Sequence, residues 1–250
     1  MTPADGAKRP KEFVMKATWN VILILCLATT TPVFAQKAAD PVKALVKDLN
    51  AAIGKGDVAQ TQAALARATE LSKTHPPKKF APVAAAVGRG VAHKNSAIAL
   101  ASVDALGAMR VRGSSKSLTK LLAPPAKGPG DKRALYVAAI RAAGSIADKG
   151  ALKALQKCVS HPDKEIAGEA AKAFAGYRAW DEKKLDPLVK SLISSLGKFE
   201  KLKGDKKTPA ATAAIEGLNE SLASLTGGTA PMPAKEWTAY VKKKKKEAKA

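Results

Sequence analysis

Aromatic side chains make up only 4% of this 250-residue chain, and cysteine occurs twice, at Cys26 and Cys158. Few aromatics and an abundance of Ala, Leu, Val and Lys argue against sheet architectures, which draw on aromatic and β-branched residues, and for close-packed helices. Acidic residues are scarce too: 21 Asp and Glu stand against 43 Lys and Arg, a formal net charge of +22. That surplus attracts polyanions and makes association salt-dependent, but it does not choose a fold. Also missing are a Gly-rich phosphate loop, a Cys-x-x-Cys-His haem attachment and a Gly-x-Ser-x-Gly elbow, so no nucleotide, haem or hydrolase chemistry announces itself. Carboxylates paired across facing helices stay open, because neighbours in such a fold lie far apart in number.

What is present begins with an export signal. The apolar block Val21–Ala28 follows Lys16 and precedes Val33-Phe34-Ala35. A basic start, a short apolar stretch and small residues ahead of a cut after Ala35 describe a secretory signal peptide, too short to span a bilayer. An uncut N-terminal anchor is the competing reading. Lipidation is disfavoured, since Cys26 follows Leu25 where a lipoprotein signal needs a small residue. Met15-Lys16 is a natural opening for such a signal, so translation is expected to begin at Met15. Cleavage leaves one cysteine, Cys158, and hence no intramolecular disulfide, so stability must come from packing. The expected organisation is an extension and signal over 1–35, a helical repeat domain over 36–226 and a Trp-bearing, lysine-rich tail over 227–250. The expected location is the periplasm or the exterior of the cell.

The mature chain repeats itself. Asp131-Lys132, Ala138-Ala139 and Ala143-Gly144 are matched in spacing by Asp163-Lys164, Ala170-Ala171 and Ala175-Gly176. An earlier copy keeps Ala101-Ser102 and Leu106-Gly107, so the period is about 37 and then about 32 residues, the range of helical repeat arrays. Ile166, Ala170, Ala173 and Tyr177 fall at steps of four, three and four, as do Ile98, Ser102, Ala105 and Met109, which places each set on one helix face. Ala138, Ala139, Ala170 and Ala171 are expected to be packed. A shorter amphipathic run precedes each of these helices: Phe80 to Val91, Ser117 to Leu122 and Ala151 to Val159. Further helices are expected from Asp40-Pro41 to Ile53, from Asp57 to Leu71, over Leu185–Phe199 and over Ala210–Leu225. His161-Pro162-Asp163 and the stretch Pro124–Gly130 mark turns. The reading is an all-α chain, an α-solenoid of about five antiparallel helical pairs.

The central segment from His161 through Asp163, Ile166 and Ala170 to Gly176 resembles HEAT repeats, with an Asp at the turn ahead of an alanine-rich second helix; Ala167 stands where an Arg is frequent. Leu225-Thr226-Gly227-Gly228 followed by Trp237 and Tyr240 is similar to the closing segment of exported HEAT-repeat proteins of planctomycete-like bacteria. These resemblances imply stacked helical pairs and a binding role. They also raise the alternative of a HEAT-like lyase, for which only the fold would argue.

Trp180-Asp181 after Arg178 suits either nucleobase recognition or, more simply, a helix-pair closure with Asp181 as a cap. Cys158 and His161 lack the partners a closed zinc site needs, as His75 and His93 are the remaining histidines. Neither metal nor cofactor is expected, and no small-molecule substrate. The distinctive charged feature is Lys242, Lys243, Lys244, Lys245 and Lys246, with Trp237 and Tyr240 just upstream. It describes either a solvated end or a clamp for an anionic surface, ammonium groups meeting phosphates while the aromatics favour an interface. The function expected is a non-catalytic exported scaffold holding a protein partner on its solenoid surface, with the basic tail contacting an anionic partner. The alternative is an electrostatic tether to anionic lipid, surface polymer or nucleic acid.

Overall fold

Five of the chain's aspartates sit where a helix must begin, and they set the frame of the structure. The computed structural model describes residues 40–123 and 132–248. The expected signal with its cut at Ala35, and the turn Pro124–Gly130, lie outside them. Asp40, Asp57, Asp148, Asp163 and Asp181 accept hydrogen bonds from first-turn backbone N–H groups of the helices they precede, as do Asn95 and Thr208. Each such cap satisfies a donor the helix cannot, worth about 1 kcal/mol.

The helices that follow are α1 Pro41–Lys55, α2 Val58–Thr74, α3 Pro77–Gly90, α4 Ser96–Met109, α5 Ser115–Leu121, α6 Arg133–Ile146, α7 Lys149–Cys158, α8 Lys164–Lys172, α9 Glu182–Glu200, α10 Pro209–Thr226 and α11 Ala234–Glu247. A 3₁₀ segment, Ala173–Ala179, continues α8. All regular structure among the described residues is helical, so the fold is all-α. None of these helices is long and apolar enough to cross a membrane.

Packing follows the odd–even alternation. Each odd helix up to α9 meets the even helix after it, and the even helices also meet in sequence, α2 on α4, α4 on α6, α6 on α8 and α8 on α10. This arrangement is compatible with a helical solenoid. The apolar stripes read from the sequence face inward: Ile98, Ser102, Ile166, Ala170, Ala171 and Tyr177 are fully buried, as is Ala139, while Ala138 is half-buried.

The even helices approach closely because the residues at their crossings are small. A Cβ on Gly107 of α4 would lie 3.0 Å from Ala142 of α6, and one on Gly144 of α6 would lie 2.8 Å from the Ala173 carbonyl oxygen. Gly217 of α10 is pressed in the same way against the Gly168 carbonyl, 2.7 Å from where its Cβ would be. At the end of α8 the chain tightens into the 3₁₀ segment. There Ser221 of α10 donates its hydroxyl to the Ala171 carbonyl at 2.6 Å, a partner for a backbone acceptor where the helical ladder changes.

The region 227–248 is not a separate tail. It belongs to the same unit, Ala39–Ala250, and its helix α11 packs along α9. The expected boundary after residue 226 therefore divides nothing in the structure.

One cap carries a charge test. Arg133 donates from Nε and Nη2 to the Asp163 carboxylate at 2.7 and 2.9 Å. That guanidinium, aided by the backbone N–H groups of Glu165 and Ile166, holds the Asp163 carboxyl down at about 2. A carboxyl whose folded pKa is depressed stabilises the fold above its ordinary pKa of 3.8, and the contribution fades as pH falls through about 2. Asn caps a helix as well as Asp, so Asp163→Asn removes the ion pair and keeps the cap. In urea unfolding series, Asp163→Asn should be the less stable protein at pH 6, with the gap closing as pH falls to about 2. A gap that does not change with pH would mean that the pair contributes nothing.

Candidate anion-binding surfaces

The lysine run expected to act as a clamp lies on α11, and the helix sorts its members by direction. Positions 237, 240, 241, 244 and 245 share one helical face, by the spacing of i, i+3, i+4, i+7 and i+8. Trp237 on that face is fully buried; its indole N–H donates to Asn219 Oδ1 at 2.7 Å, the same oxygen that accepts from the Met232 backbone N–H at 2.9 Å. Tyr240 stands edge-on to Trp237 with ring centres 5.9 Å apart and packs half-buried against the core. The expectation that Trp237 meets an anionic surface is thus corrected, whereas Tyr240 keeps part of its surface exposed. Trp237 anchors the helix because its partner Asn219 sits in α10, and Tyr240 supports it.

The lysines divide as well. Lys244 reaches back to the Thr226 carbonyl that ends α10, and Lys245 pairs with Asp186 of α9. Lys242, Lys243 and Lys246 point outward and are exposed. Lys243 has only a long contact to Glu247 in its own helix, at 3.9 Å. The Leu225–Gly228 motif has a local cause: Gly227 ends α10 with φ of 73°, and a Cβ on Gly228 would lie 2.6 Å from the Trp237 ring.

A second cationic surface, absent from the sequence reading, lies along the even helices. A groove of about 400 Å³ is lined by Arg110 at the end of α4, Arg141 of α6, Lys172 of α8 and Arg178 of the 3₁₀ segment, over small residues that include Gly144 and Gly176. Glu169 is the one acid on its wall. It accepts from Arg141 Nε at 2.8 Å, and Lys172 pairs outward with Glu220 at 3.3 Å. Arg110 and Arg178 have no acidic partner among the described residues. A neighbouring hollow extends the surface toward Asp104 and Gly107 and shares Arg110, Arg141 and Ser145. The sequence held one signal for this groove. Arginine is rare in the chain, eight residues in all, and three of the eight meet here.

Apart from Arg178, the other residues singled out from the sequence make contacts within the fold. Trp180 donates its indole N–H to the Ala147 carbonyl at 2.8 Å and lies edge-on to Tyr177 with ring centres 4.8 Å apart, while the Tyr177 hydroxyl donates to the Asp148 carbonyl at 3.0 Å. Together they hold the α6–α7 turn, where Ala147 adopts a φ of 50° that a non-glycine residue rarely takes. Asp181 caps α9, and Arg178 faces the groove. Cys158 is buried beside the Tyr136 hydroxyl at 3.4 Å, and burial pushes its thiol pKa up. His161 Nδ1 accepts from the Asp163 backbone N–H at 3.0 Å. No group of three or more His, Cys, Asp or Glu side chains able to hold a metal ion occurs among the described residues.

No family model matches the chain, and no curated protein does. Among solved structures, the crystal structure of an engineered protein is similar to it over 76% of this chain and 81% of that one, with 18% identity and a TM-score of 0.45.

Proposed function

We propose that this chain is an exported, non-catalytic scaffold of stacked HEAT-like helical pairs that holds an acidic protein partner on its even-helix face. The observation that carries the reading is the groove between α4, α6 and α8, where Arg110, Arg141, Lys172 and Arg178 converge on a floor of small residues with a single acid among them. Stacked helical pairs present long surfaces and ask no chemistry of them. The charge distribution supports the same reading. Five aspartates are held in helix caps, which leaves much of the cationic surplus facing solvent, where it steers acidic partners and loses strength as salt rises.

A tether to an anionic lipid, surface polymer or nucleic acid is the second reading, and α11 favours it. Its outward Lys242, Lys243 and Lys246 sit on a docked helix, so they form a fixed cationic edge.

The two separate in one capture experiment from envelope extract with affinity-tagged chain. Deleting the C-terminal residues would also remove the ties made by Lys244 and Lys245, so the lysine variant should change only Lys242, Lys243 and Lys246, each to Ala. The groove variant is Arg110→Glu with Arg178→Glu. A scaffold keeps its protein partner in the lysine variant and loses it in the groove variant. Loss in the lysine variant alone, with salt sensitivity that vanishes along with it, makes the chain a tether.

A further inference from the structure

The chemistry of the groove points to a narrower partner. We infer that Arg110, Arg141 and Arg178 form a row of carboxylate-reading positions for an extended acidic peptide segment, with Glu169 as the internal occupant of the middle one. This rests on the scaffold reading and specifies what the scaffold holds.

The choice of residue is the first argument. The chain carries 35 lysines and eight arginines, so a surface needing charge alone would be built of lysine, as α11 is. Arginine offers a planar fork that binds a carboxylate through two parallel N–H donors, which a lysine ammonium cannot do. The structure already places a carboxylate against the middle arginine through a single bond: Arg141 Nε donates to Glu169 Oε2 at 2.8 Å. Arg110 and Arg178, on either side of it, are exposed and lack an acid among the described residues.

Spacing is the second argument. The three arginines stand at the end of α4, on α6 and on the 3₁₀ segment that continues α8, and packed helices sit about 8–10 Å apart. An extended peptide rises about 3.3 Å per residue, so acids at every third position recur at about 10 Å, in step with the helices. The floor is the third. Gly107, Gly144 and Gly176, with Ala142, Ala173 and Ala175, keep the floor at the crossings low, so a peptide backbone can lie close. No aromatic side chain lines the groove, and a single strand of nucleic acid depends on aromatic faces for stacking.

Glu169 gives the inference its sharpest consequence. As an occupant of Arg141 it competes with an incoming carboxylate, so removing its charge should strengthen binding. That gain cannot come from a misfolded variant.

The experiment is fluorescence anisotropy of a labelled peptide bearing glutamate at every third position, titrated with the full chain and its variants at fixed salt. Thermal melts confirm that each variant is folded. Arg110→Lys with Arg178→Lys keeps the formal charge and should weaken binding about tenfold, the loss expected when forked contacts become single ones. Glu169→Gln should tighten it several-fold. The variant with Lys242, Lys243 and Lys246 changed to Ala should bind as the parent does. The inference is overturned if the Arg→Lys variant binds like the parent, if Glu169→Gln weakens binding, or if a DNA duplex of equal charge displaces the peptide more readily than unlabelled peptide does. A partner still captured from envelope extract alongside any of these results leaves the scaffold standing without its carboxylate row. Peptide binding as expected, with no partner captured, sinks the scaffold reading instead.

Discussion

Gly176→Ala should lower the stability of the fold by about 3 kcal/mol, the upper part of the range for overpacking a close contact. A Cβ at this position would lie 1.9 Å from the Gly144 carbonyl oxygen, and that oxygen belongs to the backbone of α6. A flexible side chain could turn away, but a helix backbone has to shift as a body, and α6 is held on its other side by α4. For a chain of this size the loss corresponds to about 6–12 °C in the thermal midpoint. Gly54→Ala provides the contrast. It lies near the end of α1 with nothing within 4 Å of a new Cβ, so the lower backbone entropy of Ala should stabilise by about 0.5 kcal/mol. If both variants melt with the parent, the close crossing of α6 and the 3₁₀ segment is not a feature of the folded protein.

Gly107, Gly144 and Gly176 were legible as a repeat because they recur at matched offsets, and the structure supplies the reason. Each stands at the crossing of its helix with another even-helix segment, Gly107 on Ala142, Gly144 on Ala173 and Gly176 on Gly144. The starts of α1, α2, α8 and α9 were legible for an equally local reason, since an Asp ahead of an apolar stripe is itself the cap. What escaped the sequence depends on residues far apart in number. The change from α8 to a 3₁₀ segment has a hydroxyl partner in Ser221, 50 positions beyond the carbonyl it meets. The cationic groove is assembled from three helices, and its arginines follow no common repeat offset. The lysine run read as either a solvated end or a clamp because its counterpart lies elsewhere: Asn219 holds Trp237, and Asp186 holds Lys245. A sequence pattern reports periodicity within an element, whereas these contacts are set by which elements the fold brings together.

Trp237→Ala tests that last point, and its effect should be large and local. Truncating a fully buried Trp costs about 3–5 kcal/mol, and here it also leaves the buried Asn219 side chain with one partner fewer. The helix that carries it packs mainly on α9, so the loss can be met by releasing α11 rather than by unfolding the stack. The expected result is a nearly unchanged main melting transition, with the amides of Ala234–Glu247 exchanging freely and trypsin cutting quickly after the released lysines. Trp237→Phe, which keeps most of the apolar volume but not the N–H donor, should lie between, at about 1–2 kcal/mol. Release also separates the two cationic surfaces. The freed arm keeps its run of five lysines but loses the fixed edge formed by Lys242, Lys243 and Lys246, while Arg110, Arg141 and Arg178 stay in place along the even-helix row. Binding of an acidic peptide should therefore survive Trp237→Ala unchanged. If Trp237→Ala instead lowers the main transition as a whole, α11 is part of the cooperative core, and the two surfaces cannot be switched independently.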